Sequence, residues 1–417
     1  MAPPRDAPPG VTPRFRGAEP GITAQSVKAE GVQAKRERRP PRRRGGRFDH
    51  TFAALDLGTN NCRLLIARPD GDSFRVLDAF SRVVRLGEGV DHTNRLSEAA
   101  MSRSIDALHV CAEKMRRRNV TRARAIATEA CRRADNGAEF VARVRRETGL
   151  ALDVIGAGEE ARLAVAGCAP LFDSRRECLL VFDIGGGSTE LVWIDLTEMP
   201  RNRRRDILLG VQTKGVDAAR LELDIKTLSQ NAHWTSLPVG VVTLAERFKT
   251  VANERERFDA MRDYTKSLIA PFAATGAGAT EDRLRRMQLL GTSGTVTTLA
   301  GVHLDLPRYN RSMVDGLWMQ RLELSALIDD LLTMDHAQRS LIPCIGDDRS
   351  ELVISGASIL SSILHYWPTE KLRVADRGLR EGLLYGLMNR EDAVERDAGR
   401  NAERETVGGT VGGTGTR

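Results

Sequence analysis

Residues 181 to 191 read VFDIGGGSTEL, three consecutive glycines and two hydroxyls between two acids, directly behind an apolar run. A backbone can approach a phosphate closely only where no Cβ intervenes. Successive glycines meet that need and, by tolerating positive φ, can aim several N–H groups into one concavity. Gly185, Gly186 and Gly187, with the hydroxyls of Ser188 and Thr189, therefore make a candidate anion cradle. Asp183 and Glu190 would repel the same phosphate unaided. A divalent cation resolves the conflict, because Mg²⁺ takes one or two carboxylates together with waters and phosphate oxygens. A second stretch, LDLGTNN, repeats the grammar: Asp56, then Gly58, Thr59, Asn60 and Asn61, placed to act from an opposite wall, with Asp56 as a further metal holder. A lone turn of this kind is often a ligand-free hairpin, but two matching turns and a third at GTSGT (291–295) argue for a phosphate site. None fits GxxxxGK[ST] and no GxGxxG follows a strand, which disfavours P-loop and dinucleotide-binding schemes.

These turns need strands to carry them. From Phe52 the pattern is strand, turn, strand, tight turn, strand; SEAAMSRSIDALHVCAEKMRRR then has apolar residues at helical spacing behind a Ser cap. ARAIATEA reads as a short buried strand, GAEFVARVRRETG as a helix, LDVIG as a strand and EEARLAVAGCA as a helix. ECLLVFDIGGGSTELVWIDL then restarts the opening pattern. The motif recurs once, which suggests two similar halves and not a solenoid. Residues 198–234 are polar and Arg-rich and read as an elaborated loop or hairpin, with MPRNRRRDI as a candidate basic wall for a long polyanion. Residues 253–276 read as an amphipathic helix, MQLLGTSGTVTTLAGVHL as strand, turn and helix, and the remainder to Asn389 as mostly helical, broken at Pro343 and Pro368. The expected architecture is two α/β domains facing each other across a cleft.

The chain has 417 residues, 41% of them hydrophobic, and a net charge of +7. Residues 1–50 hold twelve Lys and Arg against five Asp and Glu, so the whole excess belongs to this Pro-, Gly- and Arg-rich stretch, and the rest is balanced. Its composition cannot bury enough apolar surface to fold, and a disordered arm making weak polyanion contacts is expected at 1–49, with another disordered tail at 391–417. No apolar run is long enough to span a bilayer and no secretory leader pattern opens the chain, so a cytoplasmic protein without membrane contact is expected. The six cysteines form no CxxC pair, which fits a reducing compartment, and the seven histidines show no ligand spacing.

The segments DLGTNNCRLLI, ATEACRRADN, VIGAGEEARLA, VFDIGGGSTELV, LPVGVVTLAERF and LLGTSGTVTTLAG, in this order, resemble the exopolyphosphatase and guanosine pentaphosphate phosphohydrolase (Ppx/GppA) family of the actin, sugar-kinase and heat-shock-chaperone superfamily. The resemblance runs from about residue 50 to 390. It implies two actin-like (ribonuclease H-like) domains, here 50–165 with the first phosphate loop and 166–390 with the second loop and the C-terminal helices. It further implies Mg²⁺-dependent hydrolysis of a terminal phosphoanhydride, with polyphosphate or guanosine pentaphosphate as substrate, and allows a homodimer. By the same resemblance Glu160 is the general base for water, with Glu190 and Arg132 also catalytic. Thr128 keeps a hydroxyl where the family more often has serine, and Asn61 replaces the last serine of the first loop. In DRGLREG the resemblance implies a helix start, with Arg380 and Glu381 as a structural salt-bridged turn.

Two other classes compete. A phosphotransferase of the same superfamily would need acceptor and nucleotide pockets, and GTSGTVTTLAG could supply part of the latter. A non-catalytic alarmone or polyanion-binding regulator would gain nothing from retaining Glu160, Asp183 and Glu190 together.

Overall fold

The computed structural model describes residues 50–71, 73–210, 232–275 and 277–389; the two stretches read as tails lie outside them. The first sheet is built from β1 (Phe52–Leu57), β2 (Asn61–Asp70), β3 (Ser73–Val83), β4 (Arg122–Ala127) and β5 (Leu152–Val154), in the order β3-β2-β1-β4-β5. β1, β2 and β3 are antiparallel neighbours, whereas β4 and β5 add in parallel. β1, FAALDL, is apolar at five of six positions because it lies between two covered faces. One face carries helix α1 (Glu98–Arg117), whose Ser97 cap accepts the Ala100 N–H as its sequence predicts. Ala100, Ile105, Leu108 and Cys111 of this helix pack on Leu55, Leu64 and Ile66.

The second sheet repeats the plan. Its strands β6 (Cys178–Ile184), β7 (Thr189–Asp195), β8 (Ala232–Leu237), β9 (Met287–Thr292), β10 (Trp318–Gln320) and β11 (Lys371–Ala375) run β10-β11-β9-β6-β7-β8. An antiparallel β6-β7-β8 meander meets parallel β9 and β11, so β8-β7-β6-β9-β11 matches β3-β2-β1-β4-β5 strand for strand. This is the ribonuclease H-like, actin-type arrangement, present twice.

Helix α2 (Glu129–Arg133) follows β4 and α3 (Gly137–Thr148) leads to β5, while α4 (Ala157–Cys168) links the two sheets. α4 packs Ala161, Val165 and Cys168 on the second sheet and Leu163 on a core shared with the first. A terminal helix from residue 379 returns to the first half: Leu379, Leu383, Leu384 and Met388 pack with Phe52, Ala54, Leu65 and Ile126. A Cβ at Gly382 would stand 2.2 Å from the Leu163 carbonyl oxygen, so the two helices touch backbone to backbone.

Two expectations need correcting. The Arg-rich stretch 198–234 is not a loop throughout: it contains α5 (Arg204–Gly210) and the start of β8, with 211–231 outside the described residues. Two of its arginines are engaged with backbone. Arg204 is buried and donates to the carbonyls of Met199, Ser174 and Arg176, and Arg205 donates to Phe172. The buried Arg204 guanidinium thus satisfies backbone acceptors. The nominally helical C-terminal third also contains strands β10 and β11. No helix among the described residues is long and apolar enough to cross a membrane, and all six cysteines are free and buried.

Candidate active site

Both meanders turn in the same way. The Gly58 N–H donates to the Asn61 carbonyl at 2.9 Å, and the Gly185 N–H donates to the Ser188 carbonyl at 2.9 Å. In each hairpin an aspartate sits two residues before the turn glycine, and the register places Arg63 opposite Asp56 and Glu190 opposite Asp183. The turns meet: Cβ atoms at Gly186 and Gly187 would stand 3.1 Å from Asn60 and Thr59 Cβ and 2.8 Å from Thr59 Oγ1. A Cβ at Gly240, which caps α6 (Val241–Arg247), would stand 2.4 Å from the Gly186 carbonyl carbon. This corrects the reason for the glycines. None of Gly58, Gly185, Gly186 or Gly187 has a positive φ; Gly186 and Gly187 are pressed by Thr59 and Asn60, Gly185 by the Ser188 carbonyl of its own turn, and a Cβ at Gly58 would meet only ordinary contacts. The Gly185 and Gly186 carbonyls accept from Val241 and Val242, while the Gly186 and Gly187 amides make no hydrogen bond among the described residues.

Around the turns lies a cleft of about 580 Å³. Of the expected residues, Asp56, Gly58, Thr59, Asn60, Asn61, Thr128, Glu160, Asp183, Gly185, Gly186, Gly187, Ser188 and Glu190 line it. Thr189 does not. Its side chain is fully buried and its hydroxyl donates to the Val239 carbonyl at 2.6 Å, so it braces the turn from behind. Arg132 does not line the cleft either. Its Nη1 donates to the Ile155 carbonyl at 2.8 Å and to Glu160 Oε2 at 3.3 Å, and its Nη2 pairs with Glu129. In this state it grips the candidate base instead of reaching for a phosphate. The two glutamates of GEEAR separate cleanly: Glu159 is paired with Arg124 at 2.8 Å, and Glu160, one residue on in the first turn of α4, faces the cleft.

The acids are crowded and dry. Burial pushes the Asp183 carboxyl up to about 6, against Arg63 and with the help of the Asp56 charge. Burial raises Asp56 as well, opposed by Arg63 and Arg380. Glu190 is raised by burial and by Asp183, although the Ser188 and Ser236 hydroxyls bond to it, Ser236 at 2.8 Å. Glu160 is raised by burial first and Glu190 second, with Arg132 pulling down. Asp56, Asp183 and Glu190 form no ion pair among the described residues, where no three Asp, Glu, His or Cys side chains close into a ready-made metal cage. Buried like charges of this kind favour either protonation or a cation. The oxygen-only donor set fits a hard ion such as Mg²⁺, which needs few protein ligands. The buried Asn60 Oδ1 has no partner, and turning that amide over would present its NH₂ to an anion.

Several cleft residues lie outside those singled out from the sequence. Arg63 approaches within 3.4 Å of where a Gly294 Cβ would stand, joining the acids to the GTSGT turn. Tyr309, Arg311, Arg349, Arg377 and Arg380 enter from the C-terminal third. The expected pairing in DRGLREG is altered: Glu381 binds Arg311 at 2.6 Å and accepts the Gly378 N–H at 2.8 Å, while Arg380 lines the cleft. A second recess, of about 770 Å³, shares Asn61, Ser81, Ile345 and Arg349 with the cleft and adds Arg82, Arg85 and Arg103.

Comparison with known proteins agrees with this layout. The family model described as the Ppx/GppA phosphatase family matches residues 65–391. A curated relative from Photobacterium profundum, a guanosine-5'-triphosphate,3'-diphosphate pyrophosphatase, is 31% identical over 348 residues. The match covers 81% of this chain but only 59% of the relative, so the chain spans about three fifths of that protein's length. Among solved structures, the Ppx/GppA family member of Aquifex aeolicus is 26% identical with a TM-score of 0.62, covering 82% of this chain and 98% of its own. An exopolyphosphatase-like protein is 27% identical with a TM-score of 0.64, covering 80% and 97%. An exopolyphosphatase from Cytophaga hutchinsonii, 22% identical with a TM-score of 0.66 over 81% and 97%, shares the fold. On the family match and these relatives, the chain belongs to the Ppx/GppA phosphatase family.

Proposed function

We propose that the protein hydrolyses the terminal phosphoanhydride of guanosine pentaphosphate, of inorganic polyphosphate, or of both, in a Mg²⁺-dependent reaction with Glu160 as general base. The observation that carries this reading is the orientation of Glu160. It is the less exposed glutamate of GEEAR, 12% against 35% for the Glu159 side chain, and it lines the cleft of the two glycine turns, while Glu159 is held on Arg124.

The family relatives support a phosphatase, and the site's own residues supply the parts. In this reading the amides of Gly186 and Gly187 and the side chains of Thr59, Asn60 and Ser188, which line the cleft, would receive the oxygens of a terminal phosphate. Glu160 Oε2 is engaged by Arg132, which leaves Oε1 to hold the attacking water and take its proton. Raising a carboxyl's pKa makes it a stronger base once ionised, and Arg132 keeps ionisation within reach. Asp56, Asp183 and Glu190 would hold Mg²⁺, whose charge would neutralise phosphoryl oxygens. Arg63 adds a fixed positive charge between these acids and the GTSGT turn.

Phosphate release from guanosine pentaphosphate, tripolyphosphate and long-chain polyphosphate, with Mg²⁺ and with chelator, tests the reading. Release from at least one substrate, lost with chelator and reduced at least a hundredfold by Glu160→Gln, is expected. Unimpaired release by that variant would overturn the assignment of the base. ATP formation on adding ADP would favour a phosphotransferase instead.

A further inference from the structure

We infer that Tyr309 is a nucleobase platform, so that the cleft selects a nucleoside polyphosphate over a bare phosphate chain; this rests on the phosphatase reading and narrows its substrate. Tyr309 is the one aromatic residue among the described residues that line the cleft. Its position is built. The hydroxyl donates to Asp376 Oδ2 at 2.6 Å, and the ring's Cδ2 lies 3.9 Å from where a Gly301 Cβ would stand, a space it shares with Cys344 Sγ at 2.9 Å. A Cβ there would crowd Cys344 and meet the ring only at ordinary contact distance. The ring is thus anchored at its tip, yet 38% of the residue remains exposed.

The surroundings have the mixed character of a base site. Pro343, Cys344 and Ile345 put apolar surface on the cleft wall, and Arg349 lies beside them with Nη1 3.2 Å from the Thr298 hydroxyl. A phosphate chain is charged along its whole length and has no apolar face, so contact with this wall would only desolvate it. A purine has a π-face for the ring, apolar edges for the wall and polar groups for the guanidinium and hydroxyls. The acid and glycine turns would take the phosphates of the same ligand, placing its two chemically different halves on two chemically different surfaces.

Base stacking on a single aromatic is worth enough to change binding about tenfold when removed. In Tyr309→Leu, KM for guanosine pentaphosphate should rise about tenfold while kcat/KM for tripolyphosphate stays within twofold, which also shows that the fold survives. Tyr309→Phe, which keeps the ring and loses the bond to Asp376, should retain most of the guanosine pentaphosphate affinity. Equal losses on both substrates, no loss on either, or a Phe variant as impaired as Leu would each overturn the platform. Calorimetric titration with guanosine tetraphosphate reads the base site without turnover. If the wild type released phosphate from neither substrate yet bound this nucleotide tenfold tighter than Tyr309→Leu, the phosphatase reading would fall and the platform stand. Equal binding by the two would remove the platform whatever the activity.

Discussion

Arg132 and Glu160 are joined at 3.3 Å, Nη1 to Oε2, while the other end of the same guanidinium closes on Glu129 and Nη1 also reaches the Ile155 carbonyl. A planar fork spreads its donors over separate nitrogens and so reaches acceptors on opposite sides, whereas an ammonium presents its three donors from a single point. Its charge is also the one local influence holding Glu160 down against burial and the neighbouring acids.

Replacing Arg132 by Gln should therefore act through the base. With the positive charge gone the Glu160 carboxyl rises further, fewer molecules carry an ionised base at neutral pH, and kcat falls at least tenfold. The acid limb of the kcat profile should move to higher pH, with KM little changed. A uniform drop across all pH values would point to lost substrate contact instead. Arg132→Lys, which keeps the charge but not the fork, should fall between Gln and wild type, with a smaller displacement of the acid limb.

Packing of the two glycine turns makes a different prediction. At Gly240 a Cβ would fall 2.4 Å from the Gly186 carbonyl carbon and 2.5 Å from the Gly187 nitrogen, both backbone atoms that no rotamer change can move. Gly240→Ala must push the cradle toward Thr59 and Asn60, at a cost of roughly 1–3 kcal/mol. Gly156→Ala, immediately before the helix of Glu160 and with nothing within 4 Å of the new Cβ, should cost less than about 1 kcal/mol. Urea denaturation gives both values, and phosphate release should follow the same order.

How much of this is legible in the sequence depends on whether the signal is local. Asp183, Gly185–Gly187 and Glu190 announce themselves because two acids and three glycines lie within eight residues, and Asp56 is legible as their echo. The echo even extends to topology, since equal turns on equal meanders have equal strand orders. The reason for Gly186 and Gly187 is not legible, because the groups beside them come from residues 59–60, 129 and 240, far away in sequence. Thr189 misleads for a related reason: strand alternation turns its hydroxyl from the cleft onto Val239. Arg63 can be found by counting across the first hairpin from Asp56. Tyr309 and Arg349 offer no such route, since one lies in an irregular connection and the other in a four-residue helix, neither with a pattern that points to the cleft. Strands β10 and β11, of three and five residues, are too short to show a period amid helical sequence.

The last prediction concerns stability and pH in metal-free protein. The folded pKa of Asp183 lies near 6, above the 3.8 of the free group, so the native state binds its proton more tightly than the unfolded chain. For a raised carboxyl, stability is fully present below about pH 4 and is lost as pH rises through 6. A shift of about two units corresponds to roughly 3 kcal/mol at pH 7. Asp183→Asn removes the ionisation, so with chelator present the variant should match wild type at pH 4 and exceed it by a few kcal/mol at pH 7. Mg²⁺ added at pH 7 should raise the Tm of wild type markedly and that of Asp183→Asn little, because the cation offsets a repulsion the variant no longer has. A variant less stable than wild type at pH 7 without metal would mean that Asp183 is held by interactions favouring its charge, contrary to the crowded, unpaired acids of this cleft.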